Sequence, residues 1–462
     1  MSDKANESNL IARFPGESYQ DLLDKENVAV PDALREDTET FLGSENLPIS
    51  RWTSREFFDL EVEKMWRKTW QAACRVSQLS EPGDYFVYDI VNDSILITRT
   101  PEGELKAYHN SCLHRGRVLK RGAGNSPELR CPYHGFTWNL DGSFKGMPGD
   151  WDFAHVDHDN FCLPEVALDT WGGWVFINMA DEPQDFKEYL GILPDHFKRW
   201  SPEDTFVAMH IEKVIDANWK AVVEAFIESY HAIQTHPQIL AYSGIDNSQY
   251  DIWGDNISRT ITTSATINPA HVDKYTQQDC VETMLGTSSL VSDGDASGDA
   301  QALARDRIAE MNYAEFSEQS GLDLESFATK SEIMDSILYL VFPNFAPWAG
   351  FLPNLTYRHR PNGDNHESCI MDIFLLCRFP KGAERPADAV TVRLGADQPF
   401  ADAADVMGAG LARIFDQDAS NLPQVQKGMK ASKAGEVTLA NYQEVRIRHF
   451  HQTLDKYLNS AD

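Results

Sequence analysis

The sequence predicts an α+β chain: a small all-β unit towards the N-terminus, then a larger unit mixing helices with antiparallel strands. Three observations carry this expectation. Short alternating apolar runs follow one another at 85–90, 94–99 and 105–110, with Asn92-Asp93 as a turn between the first two. Longer helical stretches appear at 217–230, 402–414 and 437–458. A chain of 462 residues with 42% hydrophobic side chains can build two or three cores, so the two kinds of pattern can belong to different domains.

Taken in order, residues 1–45 are polar and acidic with little period and are expected to form an N-terminal arm. Thr53-Ser54-Arg55-Glu56 is a capping-box pattern, and Phe57, Phe58, Met65 and Trp66 follow at helical spacing, which predicts a helix over 54–69. The β domain is placed at 46–165, closing through a strand and hairpin turn at Trp138-Asn139-Leu140-Asp141-Gly142-Ser143. A strand at 172–178 is expected to lead out of it into a second domain, 166–462. There, strands are predicted at 206–214, 339–342 and 370–377. The 280–305 stretch, rich in Gly, Ser, Asp and Ala, is expected to be a mobile surface loop or a lid.

The 71 acidic and 41 basic residues leave a net charge of −30, which argues against nucleic acid and anionic membranes as partners. The opening Met1-Ser2-Asp3-Lys4-Ala5-Asn6-Glu7 lacks the apolar core of a signal peptide, and no apolar run is long enough to span a bilayer. Seven Cys without a repeating framework suggest a reducing compartment, so the expected location is cytoplasmic.

The most specific motif is Cys112-Leu113-His114 followed by Cys131-Pro132-Tyr133-His134, a C-x-H-x₁₆-C-x₂-H pattern. A Rieske [2Fe–2S] cluster needs this set: two thiolates on one iron and two imidazoles on the other. Gly116 and Gly135 follow the ligands closely, where tight loops can bring backbone N–H groups near the sulfurs. Cys₂His₂ is also a zinc set, but zinc fingers usually pair Cys with Cys and His with His, whereas each half here carries one of each.

A second constellation begins at Asp216-Ala217-Asn218-Trp219-Lys220, where Trp219, Val222, Val223 and Phe226 form one apolar helix face. Glu224, Glu228 and His231 fall on another face, and His236 lies in the turn before Pro237. Two imidazoles so placed can converge on one metal, and a carboxylate from elsewhere would complete the 2-His-1-carboxylate triad of a non-heme Fe(II) oxygenase. H-x₄-H alone also fits two ordinary hydrogen-bonded histidines. An electron-transfer cluster in the same chain favours a second site that consumes electrons.

Together, the cluster motif and the N-W-K…E…E-x-Y-H-x₄-H pattern at 218–236 resemble the α (catalytic) subunits of Rieske non-heme iron ring-hydroxylating oxygenases, from about residue 50 to residue 455. The resemblance implies a Rieske all-β domain plus a helix-grip (START-like) catalytic domain with an antiparallel sheet. It implies Cys112, His114, Cys131 and His134 as cluster ligands and His231, His236 and Asp418 as ligands of a mononuclear Fe(II). Asp416, Asp402 and Asp405 are rivals for the carboxylate. Glu228 stands where the family carries a carboxylate that bridges from a Rieske His of one subunit to an iron-ligand His of the next. The implied partners are an NAD(P)H-dependent reductase, with or without a ferredoxin, and a homotrimer (α3) or α3β3 assembly.

The implied reaction is the O₂-dependent hydroxylation of an apolar, aromatic or alicyclic substrate. The candidate pocket residues are Phe226, Ile227, Leu240 and the run Phe342-Pro343-Asn344-Phe345-Ala346-Pro347-Trp348. Two alternatives stay open. One is a monooxygenase or demethylase acting on a quaternary amine held in an aromatic cage, of which Glu at 228 is reminiscent. The other is a non-catalytic Rieske electron carrier with no second iron.

Overall fold

The computed structural model describes residues 12–287 and 303–460. They form two compact units: one gathers residues up to Asp59 with Leu190–Asn362 and His366 onward, the other holds Leu60–Tyr189 and Gly363–Asn365. Mixed helices and antiparallel sheets give the α+β class that the sequence predicts.

In the smaller unit, β1 (Gln71–Arg75), β2 (Asp84–Ile90), β3 (Asp93–Arg99), β4 (Leu105–His109) and β5 (Ala123–Asn125) are followed by the short strands β6 (Leu129–Arg130), β7 (Thr137–Trp138) and β8 (Phe144–Gly146). The last pair is β9 (Ala167–Trp171) and β10 (Trp174–Asn178). They assemble into sheets ordered β4-β3-β2-β5, β6-β7-β8 and β9-β10-β1. The strand at 174–178 therefore does not lead out of the domain. It pairs antiparallel with β1, Val175 opposite Cys74 and Ile177 opposite Gln71. All of its residues are buried, as a central strand between two neighbours requires. This pairing carries the small unit on to Tyr189, against the boundary of 165 expected from sequence. Its core packs Leu96, Tyr108, Leu129, Phe136, Trp138 and Leu163 around Cys112 and Cys131.

The larger unit is built on an eight-stranded sheet. Its strands are β11 (Thr205–Ile215), β12 (Ser243–Trp253), β13 (Ile257–Ser264), β14 (Ser336–Val341), β15 (Phe345–Ala349), β16 (Asn354–Asn362), β17 (Asn365–Arg378) and β18 (Val392–Leu394). Their order is β12-β13-β14-β15-β16-β17-β11-β18. Burial alternates strictly along β11, one face on the core and one partly open, as the period of a strand dictates. The helices that matter for the site are α1 (Trp219–Ala225), α2 (Ala232–Thr235), α3 (Ala304–Ser320), α4 (Ala409–Ala431) and α5 (Val445–Asn459).

Several local expectations change. The described part of the predicted arm packs on the fold: Tyr19, Leu22, Leu23 and Leu34 are buried, and Tyr19 hydrogen-bonds Ser331 at 2.7 Å. Residues 47–48 pair with 436–437, and Trp52 Nε1 donates to Glu224 at 2.9 Å. These ties place residues 12–59 in the larger unit, where sequence put a boundary at 45. The helix expected over 54–69 runs Arg55–Glu61 and continues as a π-helical turn, Val62–Trp66. Residues 280–287, expected to be loop, belong to the helix Gln277–Thr287. The rest of the expected 280–305 loop up to 302 lies outside the described residues. The helix predicted at 402–414 is instead a short helical turn at 400–407 followed by α4, which continues through Pro423 to Ala431.

The core of the larger unit holds polar groups in pairs. Asp251 and Arg259 meet at 2.6 Å with both side chains inaccessible. Arg305 grips Asp335 with two bonds of 2.7 Å. His359 on β16 departs from this: it is buried and neither ring nitrogen has a hydrogen-bond partner among the described residues. Burial lowers its pKa to about 3, so the fold accepts only the neutral ring. A histidine whose folded pKa lies below its unfolded value contributes fully above about pH 6.5, and that contribution is lost as pH falls towards the folded value. His359→Leu is therefore expected to lose about 2 kcal/mol less stability than the unsubstituted chain between about pH 7 and about pH 5, read from urea unfolding at both values.

Candidate metal centres and substrate cavity

The two loops carrying Cys112 and Cys131 are built alike. Cys112 N–H donates to the Arg117 carbonyl and Gly116 N–H to the Cys112 carbonyl, at 2.9 and 2.8 Å. Cys131 N–H donates to the Phe136 carbonyl and Gly135 N–H to the Cys131 carbonyl, at 2.8 and 3.0 Å. Each turn needs a residue in the left-handed region, and Gly116 and Gly135 supply it at φ 73° and 79°. Burial raises the pKa of the Cys112 thiol, while the N–H groups of His114 and Arg115 reach its sulfur and oppose that rise. The Cys131 sulfur lies within hydrogen-bonding reach of Cys112. The His114 and His134 rings lie 4.6 Å apart, and Phe136 stacks on His114 at 4.6 Å.

Donor chemistry and placement fit a two-iron cluster. The sulfurs pair with each other and the imidazoles with each other, as the two irons require. His114 Nδ1 is buried with no hydrogen-bond partner, the state expected of a nitrogen reserved for a metal. Among the described residues the one set whose ligand atoms converge on a single-ion position lies elsewhere.

That set is His231, His236 and Asp418, whose ligand atoms lie within 4.8 Å of one another. The helix predicted over 217–230 stops at Ala225, and the chain runs non-helical until His231 caps α2. Tertiary bonds decide this. The Ile227 carbonyl, left without a helical partner, accepts from Thr260 at 3.1 Å and from Arg446 Nη1 at 3.0 Å. The start of α1 is fixed equally firmly. Asn218 caps it, accepting from Lys220 N–H at 3.0 Å. Its own N–H donates to Gln426 on α4 at 3.0 Å, and its side-chain amide donates to the His366 carbonyl at 2.8 Å. Gln426 and Asp418 share α4, so one hydrogen bond sets the histidine segment and the carboxylate in a common frame.

Both imidazoles turn Nε2 towards Asp418 Oδ1, at 3.5 Å from His231 and 2.9 Å from His236. Their rear nitrogens are engaged. His231 Nδ1 donates to Glu228 Oε1 at 2.5 Å, and Glu228 Oε2 accepts the His231 backbone N–H at 3.0 Å. His236 Nδ1 donates to Gln417 Oε1 at 2.9 Å, which also accepts from Gln238. Such partners fix tautomer and ring angle in metal sites. Burial opposes a charge on His231, yet hydrogen bonds to Asp418 and Glu228 raise its pKa to about 10, so the point between these side chains favours positive charge. Burial likewise opposes ionisation of Asp418, but bonds to His231 and His236 hold its carboxyl below the usual value. The residues present fit a divalent metal of the His₂-carboxylate type. The rival Asp416 is committed elsewhere, accepting the N–H groups of Phe400 and Ala401 at 2.6 and 3.1 Å.

A cavity of about 230 Å³ opens on this triad. Phe226, Ile227 and Trp348 line it as the sequence suggests, while Leu240 and the rest of the 342–347 run do not. Sequence reasoning missed Tyr357 and Phe415, whose rings stand 5.3 and 5.7 Å from that of Phe226. It also missed Gln417 and Arg446. Gln417 leaves a faint signal as the neighbour of Asp418, whereas Arg446 sits in the last helix with none.

Comparisons with known proteins agree with this geometry. Residues 194–460 match the ring hydroxylating alpha subunit (catalytic domain) family and residues 69–155 the Rieske [2Fe-2S] domain. The chain is 30% identical over 226 residues to the glycine betaine monooxygenase oxygenase subunit of Pseudomonas aeruginosa, covering 48% of this chain and 51% of that one. It is 31% identical over 194 residues to the carnitine monooxygenase oxygenase subunit of Escherichia coli, covering 41% and 52%. The chain thus spans about half the length of the curated relatives it matches. A crystal structure of a quaternary ammonium Rieske monooxygenase in complex with an inhibitor superposes with a TM-score of 0.64 at 18% identity, over 89% of this chain and 95% of that one.

Metal binding is separable from turnover. With Co(II) as a spectroscopic probe, protein freed of mononuclear metal is expected to bind about one equivalent, and Asp418→Ala to bind it at least about 100-fold more weakly by titration of the visible absorption. Gln417→Leu frees one nitrogen of a ligand without removing the ligand, so a loss of about tenfold is expected in the same titration.

Proposed function

The chain belongs to the ring-hydroxylating α-subunit family, and from that premise we propose that it is the oxygenase component of a Rieske monooxygenase acting on a quaternary amine. The observation that carries the reading is the convergence of His231, His236 and Asp418 in a chain that also pairs Cys112 with Cys131 and His114 with His134. A Rieske electron carrier would have no use for the triad.

When bound, the cluster supplies single electrons and the mononuclear iron a place where O₂ is activated. The chain's own residues do the rest. Glu228 and Gln417 each hold a ligand imidazole by its Nδ1 proton, leaving Nε2 free for metal. Asp418, 6% exposed, stays ionised and supplies the negative ligand. The His231 side chain is the more open of the two imidazoles, 29% exposed against 5% for His236, which leaves access on its side. Phe226, Tyr357 and Phe415 form an aromatic wall on the cavity and exclude water from the oxidising position.

An apolar aromatic or alicyclic substrate, the main expectation from sequence, has the weaker support. Relatives that match at about 30% identity are named for glycine betaine, carnitine and choline, all quaternary amines. An aromatic wall next to the carboxylates Glu228 and Asp418 suits a cationic head. We also place the chain with an NAD(P)H-dependent reductase, with or without a ferredoxin, and in a ring of three copies with or without β subunits, Glu228 linking His231 to a cluster histidine of a neighbour. Among the described residues no helix is long and apolar enough to cross a membrane.

Anaerobically purified protein is expected to hold about three irons and two sulfides per chain and to give a Rieske-type EPR signal after dithionite reduction. A stable count of two irons after Fe(II) reconstitution would return the chain to the electron-carrier reading. Glu228→Gln keeps both metals and is expected to slow cluster reoxidation by substrate and O₂ by about tenfold or more in stopped-flow absorption. Normal reoxidation would remove Glu228 from the electron path.

A further inference from the structure

Glycine betaine and carnitine each carry a carboxylate as well as a quaternary nitrogen, and a carboxylate taken out of water without a counter-ion is strongly disfavoured. Apart from the metal position itself, the cavity on the triad has no counter-ion for one. Among the described residues that line it there is no Lys and no Arg, and its acidic members are Glu228 and Asp418. The 288–302 stretch, outside the described residues, has neither Lys nor Arg in its sequence. Two guanidiniums touch the wall from behind, and both are engaged. Arg305 holds Asp335 with two bonds of 2.7 Å and donates to the Ser264 carbonyl at 2.9 Å. Arg446 spends its donors on the Ile227 carbonyl, Thr260 Oγ1, Ser258 Oγ and the Ser258 carbonyl.

The polar groups the cavity does offer are uncharged. Thr260, Thr262 and Ser264 follow one another on a single face of β13. Ser243 on β12 stands opposite Ser264, and Ser336 on β14 stands opposite Thr262. The threonine hydroxyls are used by the protein: Thr260 donates to the Ile227 carbonyl, and Thr262 bonds Ser229 at 2.6 Å and Ser248 at 2.8 Å. The hydroxyls of Ser243, Ser264 and Ser336, all lining the cavity, have no hydrogen-bond partner among the described residues. Trp348 continues the strip on β15, opposite Leu338. Its Nε1–H points to the Tyr357 hydroxyl, which lies within its reach as an acceptor.

We propose that the substrate this cavity takes carries an uncharged hydrogen-bonding group, a hydroxyl or a carbonyl, that meets Ser243, Ser264 and Ser336, and that the cavity turns carboxylates away. The proposal rests on the reading above that substrate is oxidised beside His231, His236 and Asp418. It separates this chain from the relatives named for glycine betaine and carnitine, though not from the one named for choline, because the neutral serine strip would leave a carboxylate unpaired.

The test is anaerobic calorimetric titration of the cluster- and iron-loaded full chain with two matched pairs: choline against glycine betaine, and benzyl alcohol against benzoate. Within each pair the frame is constant and a hydroxyl is exchanged for a carboxylate. The alcohol is expected to bind at least about tenfold more tightly in whichever pair binds. Ser264→Ala and Ser336→Ala are each expected to weaken that alcohol about three- to tenfold, and to leave tetramethylammonium, which has no such group, unchanged. Thermal melts of both variants check that the fold is intact. Binding of the benzyl pair alone, alcohol over acid, would sink the quaternary-amine reading while supporting the neutral strip. A carboxylate that binds as tightly as its alcohol, serine variants with unaltered affinity, or a cavity that binds neither pair would each overturn the proposal.

Discussion

One carboxylate held against two imidazoles is the constraint around which the larger unit is arranged. Asp418 lies far along the chain from the segment that carries His231 and His236, and the three ligand atoms still close to within 4.8 Å. Two features make this possible. Asn218 ties the start of α1 to Gln426, two turns beyond Asp418 on α4, so the helices cannot slide independently. The chain then leaves the helix at Ala225, which frees 226–230 to swing His231 round. Unwinding a helix exposes carbonyls, and a buried carbonyl without a donor is destabilising. Arg446 and Thr260 remove that difficulty at Ile227. A buried arginine far along the chain thus maintains the irregular stretch that presents the ligands.

The same economy of polar groups runs through the rest of the unit. Buried charges come as close pairs, Asp251 with Arg259 and Asp335 with Arg305. His114 Nδ1, left without a partner, sits where a cluster is expected. In the smaller unit two turns with matching backbone hydrogen bonds, each resting on a left-handed glycine, bring the sulfurs together and the imidazoles together. Electron carrier and metal triad are therefore built by opposite means. The first uses compact local loops on a β scaffold, the second long-range ties between a sheet and three helices.

That difference explains what could be read in advance. C-x-H and C-x₂-H place two ligands on one turn, so their spacing survives in the sequence whatever the rest of the chain does. His231 and His236 likewise lie on one short segment. The β domain was visible as alternating runs because each strand has one face on the core. The helix over 217–230 was over-extended, since its local propensity is genuine and only Thr260 and Arg446 interrupt it. The strand at 174–178 looked like an exit because nothing in its own residues says that β1 is its neighbour. The first 59 residues looked like an arm and a piece of the β domain because their anchors, such as Glu224 and Ser331, lie far along the chain.

The sequence by itself determined the α+β class and the fixed spacing of Cys112, His114, Cys131, His134, His231 and His236, and through resemblance the family and the candidacy of Asp418. Each of these leaves a trace of fixed spacing, because a short segment must satisfy its geometry alone. Only the tertiary structure decided where the units divide, why Asp416 is a backbone acceptor and Asp418 faces the histidines, and what lines the cavity. The serines of that cavity come from β12, β13 and β14 and its aromatic wall from α4, β16 and the unwound end of α1. A period of two tells which residues face inward, but the neighbour each one meets is chosen by strand order and helix packing, which no local stretch of the chain contains.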